Sequence, residues 1–160
     1  MFAIDTNIVL DVVVDIRGTG VQSSTLLEES SRYGALVACG VVWAELAALN
    51  GASEVDRILA VLRIVVDWEM GRSVLLHAST AWGVYLKRRR ERGRSFVCPH
   101  CHTGAGEWPC PNCGEPLPPP RHILTDFLIG AHAQARGLSL ITRDRGIYQR
   151  YFPDLALIQP

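Results

Sequence analysis

Residues Ile123 to Pro153 read ILTDFLIGAHAQARGLSLITRDRGIYQRYFP, and this stretch decides the fold. Thr125 is a good N-cap, and Asp126 follows in the first helical turn, where a carboxylate suits the positive end of the macrodipole. Leu124, Phe127, Leu128, Ala131 and Ala135 recur at helical spacing, and Gly137 stops the helix. The apolar run Leu138 to Thr142 then reads as a buried strand of a parallel sheet. It leads to Asp144, at the carboxyl edge where open α/β sheets place their chemistry. One carboxylate thus arrives on a helix start and a second after a strand end. Beyond them, Arg145 to Tyr151 reads as a short helix, Phe152-Pro153 as a turn and Leu155 to Ile158 as a last strand.

The upstream half repeats the alternation. Phe2-Ala3-Ile4 is a short strand ending at Asp5, with Thr6 able to cap a helix that begins near Asn7. Asp5 is either a turn or capping residue, or the counterpart of Asp144 after another strand. Residues 15–20 form a polar break, and Val21 to Arg32 reads as a helix. Ala35 to Cys39 is the second strand, Gly40 a break, and Val41 to Asn50 a strongly apolar helix carrying Glu45 in its middle. A buried carboxylate is costly without a partner, so Glu45 needs an arginine, a metal or a carboxylate cluster around one. Ser53 to Leu62 is a further helix capped by Ser53, and Arg63 to Asp67 is a strand or that helix's tail. Ser73 to Arg92 is the longest helix, with Leu76, Trp82 and Leu86 on its apolar face. No internal repeat is visible.

Length and composition bound the class. A chain of 160 residues with 48% hydrophobic content suits one compact domain with a small appendage. The net charge is zero, so no global field points to nucleic acid or membrane. Asp5 interrupts the apolar start, which argues against a signal peptide. The longest apolar run, Leu36 to Leu49, is too short to span a bilayer and contains Glu45. A soluble, reducing, cytoplasmic setting with no membrane partner is expected, where five cysteines point to metal ligands or core residues rather than disulfides.

Six of the sixteen basic residues lie between Lys87 and Arg94, namely Lys87, Arg88, Arg89, Arg90, Arg92 and Arg94. They form either a solvated helix end or an RNA-binding surface. Composition then changes abruptly. Phe96 to Pro120 has no helical or strand period, holds most of the prolines and carries Cys98-Pro-His-Cys101 and Cys110-Pro-Asn-Cys113. Each such turn points two thiolates at one centre, and two of them complete a tetrahedral four-sulfur site for structural Zn²⁺. His100 and His102 are substitute ligands, but four cysteines leave them no vacancy; Cys39, in an apolar strand, reads as core. Trp108, between the cysteine pairs, offers a ring for a stacked base at about 1–3 kcal/mol, or is buried against a partner. The expected division is a discontinuous domain over 1–93 and 122–160, interrupted by a zinc-ribbon-like module over 94–121.

Asp5, Glu45, Asp126 and Asp144 therefore recur in an alternating βα pattern that directs them to one sheet edge. Four converging carboxylates repel unless divalent cations neutralise them, and hard oxygen ligands suit Mg²⁺ or Mn²⁺. Such ions activate water and steady phosphoryl charge in phosphodiester hydrolysis.

With these motifs (FAIDTNIVLD, VVWAEL, LTDFLIGAHA and LITRDRGIYQRYFPDL) the chain resembles the PIN-domain ribonucleases, and among them the VapC-like toxins of toxin–antitoxin pairs. The resemblance covers nearly everything but residues 94–121. It implies an α/β fold with a PIN-like parallel sheet flanked by helices, and metal-dependent endonucleolytic cleavage of RNA. Asp5, Glu45, Asp126 and Asp144 fall on the family's acidic positions, Thr142 on a supporting hydroxyl, and Thr6 and Asn7 on small polar positions. A homodimer and a cognate antitoxin are implied as partners. The cysteine module is a departure from the usual toxin, and is similar to the ribbon paired with a PIN domain in the endonuclease that matures small-subunit ribosomal RNA. Two other readings follow: a housekeeping RNA-processing nuclease whose ribbon selects its substrate, and a non-catalytic RNA- or protein-binding module.

Overall fold

The computed structural model describes residues 1–15, 18–91, 96–97, 101, 104–105, 110, 112–114, 124–144 and 146–160, with backbone alone at 89–91, 96–97 and 104–105. In chain order the elements are β1 (Phe2–Ile4), α1 (Thr6–Val14), α2 (Gly20–Tyr33), β2 (Leu36–Cys39), α3 (Gly40–Asn50), α4 (Ala52–Val61) and β3 (Ile64–Asp67). They continue with α5 (Arg72–Glu91), β4 (Phe96–Val97), β5 (Gly104–Ala105), α6 (Leu124–Ala135), β6 (Ser139–Ile141), α7 (Gly146–Tyr151) and β7 (Leu157–Ile158). The segment at Arg63–Asp67, open between two readings in the sequence, is thus a strand.

Five strands form one parallel sheet in the order β3-β2-β1-β6-β7. Register places Ile4 beside Ile141 and Cys39 beside Asp67, so the residues that follow β1 and β6 leave the sheet side by side at its carboxyl edge. The inner strands are apolar almost throughout because both faces are covered: Ala3, Ile4, Leu36, Ala38, Leu140 and Ile141 are all buried. On the edge strand β3 only Ile64 is buried, and Val65 lies exposed. The backbones of β4 and β5 pair antiparallel as a separate two-stranded hairpin within the cysteine-bearing segment.

Helix ends depart from the sequence reading by about one residue. Helix α1 opens at Thr6 with Asp5 in the N-cap position, and the Asp5 carboxylate makes no capping bond because it is engaged elsewhere. Helix α4 opens at Ala52 behind Gly51, not behind Ser53. Helix α6 opens at Leu124, which puts Thr125 in its first turn rather than at its cap. Its other end is a Schellman motif, in which Gly137 (φ 64°) donates to the Gln134 carbonyl and Leu138 to that of Ala133.

Packing on α5 also differs from the expected face. Val74, Ala78 and Ala81 form the buried stripe, while Leu76 is exposed. These small side chains let α5 lie close to α6, and aromatic rings fill the space at its C-terminal half. Trp82 meets Phe127 edge-on at 5.1 Å, and Phe127 lies 5.2 Å from Tyr151 and 6.0 Å from Phe152. Gly130 of α6 backs onto the Phe152 ring so closely that a Cβ would come within 2.8 Å of it. Helix α6, which carries Asp126, is thereby set against both α5 and α7.

Candidate active site

Asp5 is 2% exposed at the end of the central strand β1. Its Oδ2 accepts hydrogen bonds from Thr142 Oγ1 at 2.5 Å and from Asn7 Nδ2 at 2.7 Å. Thr142 follows β6, is fully buried, and uses all of its capacity: its O–H goes to Asp5, and its lone pairs accept from Asn7 Nδ2 at 3.2 Å and the Asp144 N–H at 2.9 Å. Asn7 completes the loop by accepting the Arg143 N–H at 3.1 Å. Asp144 Oδ1 in turn accepts the N–H groups of Gly146 and Ile147 at 2.6 and 3.2 Å, starting α7. Glu45 is half-buried rather than fully buried, and its partner is the Thr6 hydroxyl instead of an arginine. The three supporting residues read from the sequence, Thr6, Asn7 and Thr142, therefore each touch an acid or tie two of them together.

Electrostatics couple all four acids. Burial pushes the Asp5 carboxyl above its ordinary value against the opposing hydrogen bond of Thr142, and the Glu45 charge adds to the rise. Asp126, half-buried in the first turn of α6, is pushed up to about 7. Burial is the main cause, and the charges of Asp5, Asp144 and Glu45 add to it. A site in which like charges raise one another's proton affinity is one that a divalent cation relieves. Among the described residues, the one set of three or more ligand atoms mutually within 4.8 Å belongs to cysteines, so no three of the acids bring their oxygens that close together. A cation such as Mg²⁺ keeps several of its waters and takes only one or two carboxylates, so it does not require all four oxygens within one short radius. Asp5, Glu45, Asp126 and Asp144 are the residues that would hold it.

The cysteine set is Cys101, Cys110 and Cys113. Cys101 and Cys110 place their sulfurs 3.8 Å apart, and Cys110 is buried. Sulfurs at tetrahedral corners with metal bonds of roughly 2.3 Å lie about 3.8 Å from one another, which is the separation of this pair, and the Cys113 sulfur lies within 4.8 Å of both. Cys98 lies outside the described residues, as do Arg92, Arg94 and Trp108 and the side chains of Arg89 and Arg90. Lys87 and Arg88 are exposed at the end of α5, where the Arg88 guanidinium stands over the Tyr151 ring at 5.6 Å.

Two polar networks escaped the sequence reading. Arg143 turns from the acids to an ion pair with Asp11 and donates to the Thr19 carbonyl and Ser23 Oγ at 3.1 Å each, pinning the loop after β6 to α1 and α2. Asp67, at the same sheet edge, faces His132 at 3.0 Å and Arg136 at 2.9 Å. Burial raises its carboxyl, but the Glu69 N–H, His132 and Arg136 outweigh that and hold it below the usual range. Asp67 is thus an anchor for α6, separate from the acid cluster. Beside the acids, a cavity of about 630 Å³ opens between α1 and α3, lined by Leu10, Val14, Leu49, Asn7, Arg143 and Asp144.

No family model matches the chain, and no curated protein matches it significantly. Solved structures do. A chain of VapBC2 from Rickettsia felis, bound to a DNA fragment from the promoter, is similar with a TM-score of 0.60 at 15% identity, over 99% of this chain and 97% of that one. VapBC-1 from nontypeable Haemophilus influenzae gives 0.58 at 19% identity, over 99% and 96%. FitAcB from Neisseria gonorrhoeae gives 0.52 at 18%, again over 99% and 96%. The fold is PIN-like. Its five-stranded parallel sheet and flanking helices are those that the sequence resemblance implies. Among the described residues no helix is long and apolar enough to cross a membrane.

Proposed function

We propose that this chain is a divalent-metal-dependent endoribonuclease and the toxin of a type II toxin–antitoxin pair. The observation that carries the reading is the coupling of four carboxylates at one sheet edge, with Asp126 raised to about 7 by burial and by the other three. A bound Mg²⁺ or Mn²⁺ supplies water activation and offsets the charge of the phosphate in flight. The protein's part is positional: Thr142 and Asn7 fix Asp5, Thr6 fixes Glu45, and the start of α7 fixes Asp144. In this reading Lys87 and Arg88, exposed near the end of α5, meet the backbone of the RNA substrate.

Two further observations shape the proposal. The similar structures are VapBC and Fit complexes, and the cavity beside the acids is lined by Leu10, Val14 and Leu49 together with Arg143 and Asp144. That surface suits a segment of a cognate antitoxin, and a homodimer is the proposed assembly. The thiol cluster holds structural Zn²⁺ in a module inserted over 94–121 of a domain formed by 1–93 and 122–160. Because that module favours selection of a structured RNA, the second reading is a housekeeping RNA-processing nuclease. The deciding experiment is cleavage of defined RNAs by the metal-stripped protein with and without added Mg²⁺ or Mn²⁺, alongside Asp5→Asn and Asp126→Asn. Cleavage that neither EDTA nor either substitution reduces overturns the nuclease reading. Growth arrest on expression, relieved by the product of an adjacent small reading frame, separates toxin from housekeeping enzyme.

A further inference from the structure

Tyr148 is fully buried, with 0% of its surface exposed, in the short helix that starts at Asp144. Its ring has a clear place, tilted against Phe152 at 6.4 Å. Its hydroxyl does not: Tyr148 Oη has no hydrogen-bond partner in good geometry. Thr19 Oγ1 is the other such buried atom among the described residues. A phenylalanine would fill the same space without leaving a donor unpaired, so packing alone does not account for a tyrosine.

The surroundings of the hydroxyl do. The phenol and the Asp5 carboxylate lie close enough to weigh on each other's ionisation, and the charges of Asp126 and Asp144 also reach it. Direct contact with RNA is excluded by its complete burial. What it reaches is the back of Asp5, whose Oδ2 is already held by Asn7 and Thr142.

We propose that Tyr148 is a positioning residue for the cation site, its O–H donating to the Asp5 carboxylate and fixing the lone pair that Asp5 turns toward the cation. The inference rests on the cation reading of the four acids given above. Hydrogen bonds in such sites are often long or misaligned before loading and tighten afterwards. Tyr148 then joins Asn7 and Thr142 as a third donor to one carboxylate and leaves that carboxylate few lone pairs to offer. Asp5 is accordingly a one-oxygen ligand.

The test is Mn²⁺ binding to the purified chain without RNA, read from the electron paramagnetic resonance signal of free Mn²⁺, for the parent, Tyr148→Phe and Asp5→Asn. Tyr148→Phe should melt at or above the parent's temperature in EDTA, since it loses only an unpaired hydroxyl. Its Mn²⁺ dissociation constant should nevertheless rise roughly 10- to 100-fold, the usual effect of removing a partner of a metal ligand. Parent-like Mn²⁺ affinity in Tyr148→Phe, with affinity lost in Asp5→Asn, overturns the role of Tyr148 alone. Equal affinity in the parent and Asp5→Asn overturns the cation reading itself. A second measurement needs no substitution at Tyr148: in protein labelled with 3-fluorotyrosine, Mg²⁺ should shift one buried ¹⁹F line in the parent and leave it in place in Asp5→Asn. Absence of any Mg²⁺-dependent shift in a parent that binds Mg²⁺ overturns the proposal.

Discussion

Asp5 and Thr142 stand 137 residues apart in the chain and share a buried hydrogen bond of 2.5 Å. The bond crosses from β1 to β6, the neighbouring strands at the middle of the sheet, and sets the geometry of the acid cluster. Thr142 spends its only proton on Asp5 and both lone pairs on Asn7 and Asp144.

Thr142→Val should therefore cost more than a typical hydrogen bond. It keeps the side-chain shape but takes one of two partners from Asp5 Oδ2 and from the Asn7 amide, and leaves the Asp144 N–H without its acceptor. With about 1–3 kcal/mol for each buried group left unsatisfied, and partial relaxation, a loss of roughly 2–4 kcal/mol is expected. Urea unfolding in EDTA measures it, and Thr142→Ser, which keeps the hydroxyl, should recover most of the loss.

Asp126 gives the metal-free protein a pH dependence of known sign. Its carboxyl is near 3.8 in the unfolded chain and about 7 in the fold, so between those values the folded state binds more protons. Stability must then fall as pH rises from about 4 to about 7, the reverse of the usual carboxylate behaviour. Melting temperatures in EDTA across this range should decline, apart from the contributions of other groups, and Asp126→Asn should flatten the decline. Saturating Mg²⁺ should do the same by binding the ionised form.

The thiol cluster predicts about one tightly bound zinc per chain. Cys110, buried and central to the set, is the residue whose loss should matter most. Cys110→Ser should reduce zinc content severalfold by elemental analysis, while the sheet and the acid cluster remain folded. Retention of a full equivalent of zinc in Cys98→Ser plus Cys110→Ser protein would show that sulfur does not hold the metal.

Gly130 tests the close approach of α6 to α7. A methyl group there meets the Phe152 ring at 2.8 Å, and overpacking of this kind costs roughly 1–3 kcal/mol. Gly130→Ala should be destabilised by that amount despite the better helix propensity of alanine. Adding Phe152→Leu should return part of the loss, because the three nearest atoms to that methyl all belong to the ring.

How much was legible follows from how local each signal is. The strands announce themselves because β1, β2 and β6 are covered on both faces, and Gly137 marks the end of α6 through a left-handed φ. Asp5, Asp126 and Asp144 are legible because each sits at a strand end or helix start. At α1 the cap moved by one position, from Thr6 to Asp5, because a carboxylate or hydroxyl near a helix start can serve the site instead of the helix, as both of these do. Leu76 misled because a long helix with small buried residues hides its inward face from a search for large ones. The pairs Asp67–His132 and Asp11–Arg143, 65 and 132 residues apart, leave no local pattern at all. Tyr148 had only its place four residues after Asp144 as a clue.

The order of the strands bears on how the protein is made. β1 is made well before one of its two sheet neighbours, β6, which begins only at Ser139. Thr142, which holds Asp5, and Asp144 both arrive after that neighbour. A nascent chain or a fragment ending before Ser139 carries Asp5, Glu45 and Asp126 but has nothing to lock them into register. The acid cluster is therefore complete only once β6 and the residues after it, through Asp144, have been made and paired with β1.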